Sequence, residues 1–287
     1  MFDLIIIGIV NGSLYALIAA GIALLYGVMD VVNFAHGEIF AMAGYVTLIT
    51  ITLIMPNSII ALVFCVLFSF LLGILIDRLT IVPLRRKLKP EAMYMKHLIV
   101  TLGLSILFQN ILLAIFGANP QSVPDLISGK LVTPFVNISY QRLLIVGFSA
   151  GVMISLFTFL QKTKLGMAIR AVSQNIEVSQ SLGINMGRIY SITFGISAAL
   201  ASVAGYLASP IIQVYPTAGA PYLLRAFAVV VLGGMSSISG AMVGAFIIGI
   251  LEAFTVVYMG SELKMLVTFL VIIIVLIVRP KGLLGKR

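Results

Sequence analysis

The chain has 287 residues, 61% of them hydrophobic and 9% charged, where an ordinary soluble domain carries roughly a quarter charged residues. That excludes a soluble fold, which could not hide so much apolar surface. The formal charge of +9 is gathered into three short segments, so a lipid bilayer, and no nucleic acid, is the expected partner.

Apolar runs occur at Leu4–Met29, Ile39–Ile54, Ile59–Ile76, Leu98–Ala118, Leu143–Leu160, Ile189–Ile212, Ala226–Leu251 and Met265–Val278. They reach or approach the roughly 20 residues a helix needs to cross hydrocarbon, and they lack the alternation of a barrel strand. The expected fold class is an all-α polytopic membrane protein, one transmembrane domain over residues 1–287, with about eight transmembrane helices and broken or re-entrant segments. The first run follows Met-Phe-Asp without a basic region and is too long for a signal peptide, so it is expected to persist. Cys65, the single cysteine, lies inside an apolar run and reads as a core filler. It leaves no disulfide or thiolate metal site.

Between the first two runs, "YGVMDVVNFAHGEIFAMAGY" (Tyr26–Tyr45) sets Asp30, Asn33, His36 and Glu38 among apolar residues. Ionisable residues at membrane depth are functional candidates. One reading is a helix break near a substrate pathway, its polar groups holding loose backbone amides and carbonyls inside the protein. Within it, contact with substrate and simple stapling of two spans are both open. The rival is a proton relay through Asp30, His36 and Glu38. A metal site on Asn33, His36 and Glu38 is the weaker alternative, because such groups pair with one another more readily than they ligate metal. The turn "DVVNFAHGE" holds no Lys or Arg, which speaks against an ordinary cytoplasmic loop.

Six Lys/Arg fall between Arg78 and Lys96, four between Lys162 and Arg188, and four close the chain at Arg279, Lys281, Lys286 and Arg287. The positive-inside rule makes these three segments cytoplasmic. Asn119–Tyr140 and Ser209–Pro221 carry almost no charge and are expected to face out.

The segment "QKTKLGMAIRAVSQNIEVSQSLGINMGRIY" (Gln161–Tyr190) is too long for a simple connection. Leu165, Ala168, Ile169 and Val172 recur at helical spacing, and Leu182-Gly183-Ile184-Asn185 ends in a C-cap-like glycine. Two short helices joined at Gln174–Asn175 are predicted, forming a cytoplasmic docking loop at about 162–188.

Further on, Ser197, Ala201 and Gly205, and then Gly240, Gly244 and Gly249, suit close helix packing. "VVLGGMSSISGAMVGAFIIGIL" (Val230–Leu251) repeats the architecture of Leu24–Val46: an apolar half-span, a polar break holding Gly233, Gly234, Ser236 and Ser239, then a small-residue helix. Gly-interrupted segments in two halves point to an inverted repeat with broken helices. The chain has no nucleophile elbow, HExxH, P-loop or GxGxxG motif, so no catalytic residue, resident metal or cofactor is expected on it.

The docking segment resembles the conserved loop of the LivH/LivM-type permeases, membrane subunits of branched-chain amino-acid ABC importers. Gly166, Ala168, Arg170, Ala171, Gln174, Asn175, Glu177, Leu182, Gly183, Ile184 and Asn185 carry the likeness, with Ser179 where that loop usually has Ala. Asn33–Glu38 resembles the N-F-A-H-G-E motif of the LivH member, Gly233–Gly244 its late glycine-rich segment, and Arg279–Gly285 its terminal R-P-x-G-L-f-G. The resemblance implies translocation of leucine, isoleucine and valine across the cytoplasmic (inner) membrane. It also implies three kinds of partner: a second permease of the LivM type, two P-loop ATPase subunits that use the ATP and dock on the loop, and an extracytoplasmic substrate-binding protein. Relatives carrying urea, short amides or other amino acids share most of these residues, and a proton-coupled secondary transporter is the alternative of another class.

Overall fold

The computed structural model describes residues 2–87, 90–133 and 136–285. α1 (Phe2–Met29) precedes a break, after which α2 (His36–Ile49) runs on through a π-helical turn at Thr50–Ile54. α3 (Ser58–Ile76) passes through a second π turn, Asp77–Ile81, into α4 (Val82–Lys87), and α5 (Pro90–Phe116) opens on a proline, whose missing N–H is harmless in a first turn. A hairpin of β1 (Lys130–Thr133) and β2 (Val136–Ser139) leads to α6 (Tyr140–Lys162). Then come α7 (Lys164–Gln174), α8 (Ile176–Ser181), α9 (Met186–Ala208), α10 (Gly219–Gly233), α11 (Ile238–Tyr258) and α12 (Lys264–Val278). Among the described residues eight helical stretches are long and apolar enough to cross a membrane, and α10 is shorter. The fold is all-α and polytopic, as the composition requires.

The core is centred on α9, whose small residues let neighbouring backbones approach. A Cβ on Gly195 would meet the Phe70 ring of α3 at 2.8 Å, and one on Gly205 would fall on the Phe40 carbonyl of α2. α1 packs antiparallel on α11 in the same way, Gly8 against Ile250 and Gly12 against Phe246. Cys65 is buried beside Thr47, whose hydroxyl is 3.3 Å from its sulfur.

The structure bears out eight long apolar helices and redraws one of the runs, which adds the shorter α10. Eight crossings from an outer N-terminus would leave the basic tail outside. The run Ala226–Leu251 is not one crossing but the end of α10, a tight turn at Gly234–Ser237 and most of α11. Dividing it restores a cytoplasmic tail and leaves the other basic segments inside. Of the basic residues that set the sides, Lys89, Lys286 and Arg287 lie outside the described residues. In a Cys65→Ser background, a cysteine at exposed Ser128 is expected to react with an impermeant thiol reagent in intact cells. One at exposed Gln180 should be protected until the cells are opened. Labelling of position 180 from outside would reverse the orientation.

Two connections do not stay at the surface. After Met29 the chain turns back into the protein, with Val31, Val32, Asn33 and Ala35 all buried. α2 therefore begins at the level of Gly21, whose Cβ would meet the His36 ring at 2.9 Å. Gly21 is about 12 Å, at ~1.5 Å per residue, from the end of α1. Of Ser209–Pro221, expected as an outer loop, the part before α10 likewise descends and the rest is helical: Val214 is buried against Gly44, and α10 starts where the Gly219 and Gly37 backbones touch. α2 thus rises outward, and α10 falls inward, from one place in the interior.

That arrangement locates the repeat differently from the sequence comparison. The breaks in Leu24–Val46 and Val230–Leu251 lie on the same face, where a Cβ on Gly27 would stand 3.6 Å from Ser236. Those two segments therefore run in parallel and are not an inverted pair. The inverted counterpart of α1–break–α2 is α9–loop–α10, entered from the opposite side.

Candidate functional site

The polar quartet of the first break is divided among three environments. Asp30 is exposed at the cytoplasmic end, in the left-handed region at φ 52°. Its backbone N–H closes α1 on the Tyr26 carbonyl at 2.8 Å. Asn33 shapes the turn itself: its side-chain oxygen accepts from the Ala35 N–H at 3.0 Å, the local Asx bond that lets a short polar residue hold irregular backbone. His36 is fully buried against α1 and α9, its Nδ1 3.5 Å from the Ser197 hydroxyl, which itself donates to the Gly21 carbonyl at 2.8 Å. Glu38, two residues on and pointing away from His36, is fully buried toward α5.

Glu38 Oε1 accepts from Gln109 Nε2 at 2.8 Å and from the Ser105 hydroxyl at 3.1 Å, while Oε2 has no hydrogen-bond partner among the described residues. Both donors belong to a stripe at four-residue spacing on α5: His97, Thr101, Ser105 and Gln109. Residues four apart share a helical face, and this one is turned to the re-entrant segment. His97 and Thr101 are buried, and the Thr101 hydroxyl lies 3.5 Å from the Val32 carbonyl. The sequence reading missed the stripe, although four polar residues in register within an apolar run are its signal.

A second buried network was also missed. Glu252 of α11 accepts from Tyr15 Oη of α1 at 2.6 Å and from Arg225 Nε of α10 at 2.8 Å, with Thr268 Oγ1 of α12 at 3.4 Å and Lys264 Nζ at 4.0 Å. The Arg225 guanidinium stands 5.7 Å from the centre of the Tyr222 ring, which stacks on Phe40 of α2. Arg225 and Glu252 flank the run once read as a single span. The turn at Gly234 folds that run back on itself and brings its two ends together.

Gly233, Gly234, Ser236 and Ser239 lie at the turn between α10 and α11 and do not join Glu38. Gly234 ends α10 at φ 107°, a conformation that favours glycine, and Ser237 caps α11 by accepting from the Gly240 N–H at 3.0 Å. Ser239 sits beside that cap, its hydroxyl 3.3 Å from that of Ser237. The C-terminal segment completes the turn: Leu283 N–H donates to the Leu232 carbonyl at 2.8 Å and Leu284 N–H to Gly233 at 3.0 Å. These are helix-end carbonyls without partners inside α10.

Gln161–Tyr190 forms the helix pair expected. Thr163, Asn175 and Asn185 cap α7, α8 and α9, their side chains accepting from the N–H groups of Gly166, Val178 and Arg188, each at 3.0 Å. A Cβ on Gly166 would fall on the Phe159 carbonyl, so glycine lets α7 fold back onto α6. Arg170 reaches the Gln161 carbonyl at 3.5 Å, and Ala171 receives the Asn175 N–H at 3.1 Å. Glu177 lies in the first turn of α8, where a carboxylate complements the helix dipole. Ser179 is buried, with its hydroxyl turned back to the Asn175 carbonyl, which explains why a small residue occupies the position. Gly183 at φ 80° donates to Gln180, and Ile184 to Ser179, the paired bonds of a Schellman motif.

Ile169 and Val172 anchor α7 from beneath, while Met167, Gln174, Ile176, Val178 and Leu182 stay exposed. Between this pair, the end of α1 and Ser236 lies a cleft of about 620 Å³ that reaches Asp30 and Gln174.

A family profile described as "Branched-chain amino acid transport system / permease component" matches residues 4–276. The chain is similar to the high-affinity branched-chain amino acid transport system permease protein BraD of Pseudomonas aeruginosa, at 35% identity over 97% of this chain and 94% of that protein. It is similar to LivH of Escherichia coli K12, a permease protein of the same description, at 34% identity over the same shares. A shorter likeness, 33% over 45% of this chain and 43% of the relative, joins it to the ribose import permease protein RbsC of Escherichia coli K12. No solved structure matches the chain.

Proposed function

This chain belongs to the family of branched-chain amino acid transport system permease components, and from that premise we propose that it is the membrane subunit of an importer driven by ATP hydrolysis on separate subunits. It is a multi-pass inner-membrane protein. Its cargo is leucine, isoleucine and valine, the substrate class in the names of the relatives that match it end to end. A second permease of the LivM type completes the pathway, two P-loop ATPases bind on the cytoplasmic side, and an extracytoplasmic binding protein delivers cargo outside.

The observation that carries this reading is the α7–α8 pair. Apolar side chains on the cytoplasmic face of a membrane protein have no lipid to cover them, and an exposed patch of this kind marks a protein contact. The pair touches α6 on one side and, through the cleft, the Asp30 end of α1 and the Ser236 turn on the other. Movement imposed there by an ATPase would reach both re-entrant elements. A proton relay fits less well, because Asp30, His36 and Glu38 face the cytoplasm, α9 and α5 respectively. The converging N-termini of α2 and α10 favour negative charge at the centre of the protein, which suits the carboxylate of a zwitterionic cargo.

The test is reconstitution with and without the ATPases, the second permease and the binding protein, assayed with labelled leucine, urea and a neutral polar amino acid. Leucine uptake is expected only with all partners and ATP. Uptake by this chain alone under a proton gradient would reverse the reading. Within the complex, Gly183→Val places a β-branched residue at φ 80°, a left-handed conformation that costs about 1–2 kcal/mol even for an ordinary L-residue. A Cβ there meets nothing within 4 Å, so the damage is confined to the aim of α8. Insertion should be normal and ATP-driven uptake lost; full uptake at normal expression would remove Gly183 from the coupling element.

A further inference from the structure

On its outer half α5 borders a cavity of about 200 Å³ lined by Gln109, Asn110, Leu113, Tyr215 and Thr217. Its floor is the descending loop that precedes α10. Gln109 has two faces in this arrangement: its side chain lines the cavity and also donates to Glu38 Oε1 at 2.8 Å. Behind it stands a fully buried carboxylate whose second oxygen is without a partner among the described residues. No described Lys or Arg forms an ion pair with Glu38; the membrane-embedded cation Arg225 is engaged by Glu252. An acceptor left open at this depth is costly unless something donates to it during the working cycle.

We propose that Gln109 closes this cavity over Glu38, and that the ammonium group of a zwitterionic amino acid displaces the Gln109 amide and donates to the Glu38 carboxylate during translocation. This rests on the amino-acid importer reading above. An ammonium has three donors in a compact group, enough to take Oε1 from Gln109 and satisfy Oε2 as well. A neutral donor offers no more than the Gln109 amide it would replace, and an anion is repelled. Leu113 and Pro216 supply an apolar wall for the cargo side chain. α5 is suited to yield, since among its described side chains only His97, Thr101, Phe108 and Leu112 are buried, and Gly103 faces open space. Ser105 keeps its bond to Oε1 and holds the carboxylate in place while Gln109 swings away.

The test reads charge and transport separately. In a Cys65→Ser background, Gln109→Cys in the full complex is treated from outside with a cationic and an anionic methanethiosulfonate of similar size. The cationic reagent is expected to react at least ten times faster, and Glu38→Gln should bring that ratio close to one. Equal rates in the Glu38-containing protein, or no labelling at all, would overturn the proposal whatever the cargo is. That holds also if Glu38→Gln fails to insert. Separately, Glu38→Gln should lower leucine uptake about tenfold while ATP hydrolysis stimulated by the loaded binding protein persists. Undiminished uptake in that variant would equally overturn it. If the parent complex carries no leucine but the reagent ratio holds, the cargo assignment fails and the cation site stands.

Discussion

Valine at Gly219 is expected to prevent the permease from assembling. A Cβ at this position falls on the Gly37 carbonyl, and one on Gly37 meets the Gly219 carbonyl and the Leu223 Cβ, each at 2.8 Å. The obstruction is backbone on backbone, so no rotamer change relieves it. α2 and α10 would have to separate, breaking the Phe40–Tyr222 stack and opening the buried Val31–Asn33 segment to lipid. Overpacking a core costs about 1–3 kcal/mol where side chains can shift, and here the larger cost of unsatisfied backbone at membrane depth is added. Size-exclusion profiles of detergent-solubilised protein should show aggregate or no protein for Gly219→Val and a weakened monodisperse peak for Gly219→Ala. A valine variant with the parent's profile and melting temperature would show that the two helices do not cross there.

Arg225→Met is the second large effect. It leaves Glu252, almost wholly buried, with Tyr15, Thr268 and a Lys264 ammonium at 4.0 Å. Removing one member of a buried pair costs about 3–5 kcal/mol, whereas replacing both with apolar residues of similar volume is often neutral. The single variant should melt well below the parent, and Arg225→Met with Glu252→Leu should regain most of the loss despite carrying two changes. A double variant no more stable than the single would mean that the network's value lies in its hydrogen bonds to Tyr15 and Thr268 and not in the ion pair.

The sequence disclosed what depends on composition and local chemistry. Run length gave the membrane class. The α7–α8 pair was legible because the helical spacing of Leu165, Ala168, Ile169 and Val172, the joint at Gln174–Asn175 and the closing Gly183 act within a few residues. What was not legible depends on contacts between distant segments. Ala226–Leu251 carries no charge, and although Gly233, Gly234, Ser236 and Ser239 mark a break in it, nothing local says that the chain reverses there on a glycine at φ 107°. The dip of Ser209–Ala218 has no charge signature, since a loop packed inside protein and one facing out can share the same neutral composition. Arg225 and Glu252 stood in plain view as lone charges, but nothing local says that one is the other's partner. Asn33–Glu38 was correctly singled out as a break, while the opposite directions taken by His36 and Glu38 follow from helix geometry that applies only once the start of α2 is known.

The pairing of Leu283 and Leu284 with the end of α10 bears on the order of events during synthesis. The carbonyls of Leu232 and Gly233 emerge from the ribosome well before the amides that will satisfy them. Until the residues after α12 have been made, the turn at Gly234 is held by its own local bonds, from Gly234 N–H to Val230, Ser237 N–H to Gly234 and Gly240 N–H to the Ser237 hydroxyl. A nascent chain therefore carries an open helix end beside the cleft of Asp30, Gln174 and Ser236, and the end closes once Leu283 and Leu284 are in place.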